Sequence, residues 1–181
     1  MKIAFFTEMG FQGKVPRTHD NMRVEFAWMC ALQTDHWNIN QPPNQQYDLG
    51  IVIIPKNNPQ FDINKLKQYC NKVAVMQEGP NWYWQDYPLQ QQIWYFNTIQ
   101  EADIMFVHNE LDKLYYEGLT GKECRILTSL MIEDGIDGYV LTHKNDRKNI
   151  IIGGNFCSWY GGFDSYVIAQ EVDCPIYIPS M

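Results

Sequence analysis

The sequence predicts an α/β fold, a parallel sheet with helices on both faces, followed by the start of a second, incomplete unit of the same kind. Three observations carry this. Short runs rich in Ile, Val and Phe recur along residues 1–131, each bounded by polar residues. Stretches with helical spacing of apolar residues lie between them, which is the pattern of parallel strands joined by crossover helices. The alternation then breaks over 132–148 and resumes at 149 with a strand, a glycine-rich turn, a helix and a second strand.

Taken in order, "KIAFFTE" (2–8) is a short apolar run of the kind buried on both faces of a sheet. "NMRVEFAWMCALQ" places Met22, Phe26, Met29, Cys30 and Leu32 or Gln33 at helical spacing, with Asp20 or Asn21 as the N-cap. "HWNIN" reads as a weak strand and "DLGIVIIPK" (48–56) as a strong one. "INKLKQYCNK" (63–72) reads as a helix with Ile63, Leu66, Tyr69 and Cys70 on one face, and "KVAVMQEG" (72–79) as the next strand. From Pro88 the aromatic segment can turn helical, since proline is tolerated in a first turn. "DIMFVHNE" (103–110) is a strand, "LDKLYYEGL" a short helix and "ECRILTSLM" (123–131) a strand. Residues 1–131 thus read as one Rossmann-like domain. The polar, charged, glycine-bearing stretch 132–148 reads as a linker, and 149–181 as the first βαβ of a C-terminal domain. The alternative is that the last two strands extend the first sheet.

Composition narrows the setting. At 181 residues and 45% hydrophobic content the chain can bury a full core. A formal net charge of −7 argues against a broadly basic nucleic-acid surface, though not against a local basic groove. The cysteines Cys30, Cys70, Cys124, Cys157 and Cys174 form no CxxC pair, so they read as reduced thiols in a cytoplasmic compartment. No run approaches the ~18 apolar residues of a membrane span, and the N-terminal run is too short for a signal peptide. His19, His36 and His143 show no metal-ligand spacing, so no metal is expected.

In open α/β sheets, ligands bind beyond the carboxyl ends of the strands, near helix N-termini. Four loops stand there. "TEMGFQGKVPR" (7–17) offers Gly13 for close backbone approach, with Lys14 and Arg17 as positive charge for an anion; such a loop also serves as a plain βα connection. "MQEGPNWYW" (76–84) places Glu78 at a strand end, where partial burial would make it a general base. The plainer reading of a lone Glu is a solvated loop acid or a cap. Trp82 and Trp84 beside it can stack on sugars or bases, or fill the core. "VHNE" (107–110) ends a strand with His108 and Asn109; a histidine there is an acid–base group or holds a phosphate, or else is a satisfied core or capping histidine. "GGNFCSWYGGFDS" (153–165) surrounds a helix start with Gly153, Gly154, Gly161 and Gly162, which suits backbone contact with a diphosphate.

The ordering of these segments resembles the GT-B glycosyltransferases, whose second domain often opens with a strand, a glycine turn and a "KGFD"-like helix start. Here "GGFD" (161–164) stands in that place, with Gly161 where the lysine would be. "FFTEMGFQGKVPR", "VMQEGPNWYWQDYP" and "HNELDKLYYEGLTGK" also resemble glycosyltransferase-like proteins of tailed bacteriophages. The resemblance implies transfer of a sugar from a nucleotide-sugar co-substrate, with no tightly bound cofactor, to an acceptor held between two domains. It makes Glu78 and His108 the catalytic candidates, and Gly13, Lys14, Gly153, Gly154, Gly161 and Gly162 the donor side. Arg17, Trp82, Trp84 and Asn109 fall to the substrate. The phage association implies a modified base in DNA as acceptor and the host cytoplasm as the setting. A second domain of one βαβ unit lacks most of a donor surface, so an oligomer or a partner chain is expected to complete it. The competing readings are a binding module of the same ancestry without turnover, and a flavodoxin-like regulatory domain. The last is weakened because strand one ends in Thr7-Glu8 and not in paired aspartates.

Overall fold

The structure, a computed structural model, describes residues 1–8, 13–14, 24–41, 43–55, 61–77, 86–130, 150–151, 162–172 and 175–177. The chain forms two compact units, Met1–Gly135 and Ile136–Met181.

The first unit is a Rossmann-like seven-stranded sheet. Its strands are β1 (Ile3–Thr7), β2 (Gly13–Lys14), β3 (Asp35–Asn38), β4 (Tyr47–Ile54), β5 (Cys70–Gln77), β6 (Ile104–Val107) and β7 (Cys124–Ile126). They lie in the order β2-β3-β1-β4-β5-β6-β7. Six run parallel, and the two-residue β2 pairs antiparallel with β3 at the edge. The helices are α1 (Val24–Leu32), a 3-10 helix (Ile63–Gln68), α2 (Leu89–Glu101) and α3 (Glu110–Thr120).

Alternation along the strands divides the core in two. Ala4 and Phe6, Val52 and Ile54, Val73 and Val75, and Met105 and Val107 face the layer built by the 3-10 helix, α2 and α3. Phe5, Ile51, Ile53, Ala74 and Met76 face α1 through Trp28 and Met29. Strands buried on both faces read as continuous apolar runs, which is why β4 and β5 stand out in the sequence. Gly50 sits where three strands crowd together. A Cβ there would lie 2.7 Å from the Cys70 sulfur and 3.0 Å from Phe6 Cε2, so only glycine fits without displacing buried neighbours.

The return from β3 to β4 crosses β1; of its described residues Ile39 and Pro43 are buried, Ile39 in the layer on the α2 side. Tyr47 anchors its end. The Tyr47 hydroxyl donates to Asp35 Oδ2 (2.6 Å) and accepts from Trp37 Nε1 (2.6 Å). Burial and the Asp35 carboxylate push the Tyr47 hydroxyl up to about 12, so it stays a donor.

Helix ends follow local chemistry, with two departures. Asn109 caps α3 by accepting from Asp112 N (2.9 Å), and Gly121 closes it in the left-handed region at φ 67°. α1 closes in the same manner, but with Gln33 at φ 52° in place of glycine. The bonds Gln33 N to Cys30 O (3.3 Å) and Thr34 N to Met29 O (3.0 Å) complete a Schellman turn. α2 has no basic residue in its last turn. Its closing charge comes from Lys122, whose Nζ donates to the carbonyls of Ile99 (3.2 Å), Gln100 and Ala102.

Several local expectations need correction. Residues 63–72 do not make an α-helix: the 3-10 helix stops at Gln68, because Cys70 already pairs with Tyr47 as the start of β5. The expected strand over 123–131 is only three residues long, since its pairing with β6 ends at Val107 and Ile126. The buried residues of α1 are Phe26, Ala27, Trp28 and Met29 in succession, while Leu32 is 44% exposed. Trp28, absent from the expected face, is one of the largest fully buried side chains. The proposed caps Asp20 and Asn21, and Met22, lie outside the described residues.

The second unit holds β8 (Ile150–Ile151), α4 (Gly162–Gln170) and β9 (Ile176–Tyr177). β8 and β9 pair parallel in a two-stranded sheet of their own, and Tyr166, Val167 and Ile168 of α4 are exposed. Cys30, Cys70 and Cys124 are free thiols; burial pushes Cys70 up to about 11, which leaves it unreactive at neutral pH. Among the described residues no helix is long and apolar enough to cross a membrane.

Gly50→Ala is expected to cost about 1–3 kcal/mol by overpacking, read from the midpoint of urea unfolding. Gln33→Gly is expected to raise the same midpoint, by about 0.5 kcal/mol, because it removes a side chain from a left-handed position.

Candidate functional site

The carboxyl ends of the parallel strands all lie on one edge of the sheet. There the connection from β1 leads to α1 on one face, and the connection from β4 leads to the 3-10 helix on the other. That divergence marks the topological switch point, where open α/β sheets bind their ligands.

The described walls of this edge are firmly held. Ile39 N donates to Thr7 O (2.8 Å) and Asn38 Nδ2 to Glu8 O (2.7 Å), so the exits of β1 and β3 are tied together. Thr7 Oγ1 and His36 Nε2 share a hydrogen bond of 2.7 Å, and the His36 ring meets Phe26 edge-on at 5.7 Å. At the exit of β5, Gln77 Oε1 accepts from the Tyr95 hydroxyl (2.9 Å) in the buried layer under α2. At the exit of β7, Leu127 N donates to Val107 O (2.8 Å), carrying the chain past the end of β6.

His108 stands on this edge at the exit of β6, the last strand but one of the sheet, directly before the cap of α3. Its ring stacks on Trp28 with centroids 5.7 Å apart and planes inclined by 16°. Trp28 is fixed in turn: Nε1 donates to Thr128 O (2.8 Å), and its ring stacks with Phe5 at 6.4 Å. His108 is half-buried, and its Nδ1 is buried with no hydrogen-bond partner among the described residues. A stacked imidazole held this way keeps one orientation, which suits a group that positions or relays a proton at one point.

The other sequence candidates fall in three groups. Asn109 lies next to His108, but both ends of its amide serve the α3 cap, Oδ1 toward Asp112 N and Nδ2 toward Asp112 Oδ2 (3.0 Å). Gly13 and Lys14 are not in an open loop: their backbone forms β2, opposite His36 and Asp35, at the level where Phe5 and Ala4 pair with the same residues. The physical reason is that β3 would otherwise be a bare edge, and β2 satisfies part of it. Gly162 is the first residue of α4 in the second unit. Glu78, Arg17, Trp82, Trp84, Gly153, Gly154 and Gly161 lie outside the described residues.

Sequence reasoning did not find Trp28 and Thr128 as the residues that hold His108. The available signal was Trp28 itself, a tryptophan within a helix directly after the first βα loop, where the aromatic ring faces the strand ends. Among the described residues no group of three or more His, Cys, Asp or Glu side chains could hold a metal ion. No protein-family model, curated protein or solved structure matches the chain.

Trp28→Phe is expected to destabilise the fold by about 1–3 kcal/mol, since it removes the bond to the Thr128 carbonyl and leaves part of the ring volume empty. Trp28→Leu is expected to move the His108 ring-proton resonances downfield by abolishing the ring current above them. Unchanged His108 resonances in an NMR spectrum of that variant would contradict the stack.

Proposed function

We propose that the chain is a glycosyltransferase, moving a sugar from a nucleotide-sugar donor to a hydroxyl acceptor. The observation that carries this reading is the pairing of a Rossmann-like first unit with a second unit in which a glycine-rich stretch leads into α4 at Gly162, between parallel strands β8 and β9. The start of a helix after glycines favours a diphosphate, through free backbone N–H groups and the positive end of the helix dipole. The proposed donor contacts are therefore the backbones of Gly153, Gly154, Gly161 and Gly162, and the acceptor falls to the carboxyl edge of the first unit.

In the proposed reaction the acceptor oxygen attacks the anomeric carbon, the bond from that carbon to the diphosphate breaks, and the nucleoside diphosphate leaves. The acceptor proton passes to a base, for which Glu78 and His108 are the candidates. Arg17, Trp82 and Trp84 are assigned to holding the acceptor by charge and by stacking. A modified base in DNA is the acceptor that the phage resemblance suggests, and the cytoplasm, of a host cell if the protein is viral, is the corresponding setting.

One observation favours a second reading, a nucleotide- or acceptor-binding module without turnover. His108 Nδ1 is buried and the ring is stacked on Trp28, which is also how a packing histidine is held.

Thermal unfolding in the presence of UDP, GDP and CMP and their sugar conjugates, with NAD and FMN as controls, tests the donor assignment. One sugar nucleotide at ~100 times its dissociation constant is expected to add about 2.7 kcal/mol of stability, a rise of a few degrees in Tm. For that donor, Glu78→Gln or His108→Ala is expected to lower the transfer rate by about 100-fold or more while the Tm shift persists. Binding without any transfer in the unmodified chain selects the second reading. Stabilisation by FMN or NAD alone overturns both.

A further inference from the structure

A pocket of ≈ 420 Å³ lies on the α2 side of the first unit, between the start of the β3–β4 return and the 3-10 helix. It is apart from His108 and its neighbours. Ile39, Phe61 and Leu66 form its floor, each at least nine-tenths buried, and the half-buried ring of Tyr69 lines it. Asn40, Asp62, Lys65 and Gln68 make an exposed polar rim. A concave apolar floor of this size with a few polar groups at its mouth has the make-up of a small-molecule site.

The rim carries one group with nothing to hold. Lys2 donates to Gln45 Oε1, Lys67 to Glu101 O, and Lys122 to the end of α2, while Lys72 pairs with Asp103 and Lys113 with Glu117. Among the lysines whose side chains are described, the Lys65 ammonium alone has no hydrogen bond or ion pair. Asp62, three residues earlier on the same rim, makes no ion pair with it, and its Oδ1 accepts from Asn64 N (2.9 Å) as the cap of the 3-10 helix. In a chain of net charge −7, an uncommitted cation beside an apolar floor is a polar handle for a ligand of opposite charge.

We propose that this pocket binds a small organic anion, a ring-sized apolar body with one carboxylate or phosphate, whose charged end meets Lys65 and whose ring rests on Phe61, Leu66 and Tyr69. The site stands on the pocket and its rim, and does not depend on glycosyl transfer. Lys65 lies at the mouth in high dielectric, so its charge sets ligand preference, while most of the affinity comes from the floor.

The test is a titration of the ¹⁵N-labelled full chain, followed by amide shifts, with phenylacetate, phenyl phosphate, benzyl alcohol and inorganic phosphate. Both aromatic anions are expected to give saturable shifts centred on Ile39, Asn40 and Phe61 to Tyr69. Benzyl alcohol is expected to bind the same residues about fivefold more weakly, the value of one exposed ion pair, and inorganic phosphate to leave them unmoved. Lys65→Met, an exposed substitution that spares the core, is expected to bring the anions down to the affinity of benzyl alcohol and leave benzyl alcohol unchanged. A tighter phenyl phosphate assigns the charged end to a phosphate ester, and a tighter phenylacetate to a carboxylate. Equal binding of benzyl alcohol and the anions, indifference to Lys65→Met, or shifts that do not saturate would overturn the proposal.

Discussion

The chain leaves β3 at Asn38 and must enter β4 at Tyr47 on the far side of β1, with only residues 39–46 to make the crossing. A parallel connection usually takes a dozen or more residues and builds a helix on the way. Here it runs without one, and much else follows from that shortage. Its two ends need their own fastening, which Asp35, Trp37 and Tyr47 supply through one shared hydroxyl. Lys2 reinforces it, placing its ammonium over the Tyr47 ring at 5.1 Å. The return strap is narrower than a helix, and the space beside it, against the 3-10 helix, remains as a pocket. The exits of β1 and β3 are drawn together by the same turn, so the edge that carries His108 begins from a fixed wall.

Opposite faces of the sheet solve different problems. On the α2 side, packing is close enough that Gly50 admits no side chain between Phe6 and Cys70. Just before β6, at the exposed amino end of the strands, Asp103 accepts from Val73 N (2.8 Å) and pairs with Lys72. Burial alone would raise the Asp103 carboxyl, but those two donors outweigh it and hold it below the usual carboxylate range. On the other side, among the described residues, α1 carries the face through Trp28 and Met29, and Trp28 does so while supporting the imidazole of His108. One side chain therefore serves both the core and the strand-end edge.

The strands that lie at the centre of the sheet were legible because burial on both faces leaves no room for polar residues in "IVII" or "VAVM". Elements shaped by partners were not. β2 is two residues, glycine and lysine, with no strand signal of its own, and exists because β3 offers an edge. The 3-10 helix looked like part of a longer helix because Tyr69 and Cys70 continue its apolar spacing, whereas pairing with β4 claims Cys70 for the sheet. At the candidate site, the position of His108 at a strand end could be read from "VHNE", whereas Asn109, expected at the substrate, is taken up by the cap of α3. The stack on Trp28 could not, since it joins residues far apart in sequence and depends on α1 being buried along successive residues, a pattern without helical periodicity.

The closing of α2 by Lys122 has a consequence for the order in which the molecule is made. A helix whose last carbonyls are met by its own terminal turn can be complete as soon as it leaves the ribosome. α2 ends at Glu101, and the ammonium that satisfies Ile99, Gln100 and Ala102 arrives only after the whole of α3 has been synthesised. Until then the Gln100 and Ala102 carbonyls lack this donor and Ile99 O has Ala102 N alone (3.3 Å), so docking of α3 and β7 completes two elements at once. Lys67, made earlier, meets only the Glu101 carbonyl at this end, so the last turn of α2 is expected to settle together with α3 and β7, late in synthesis.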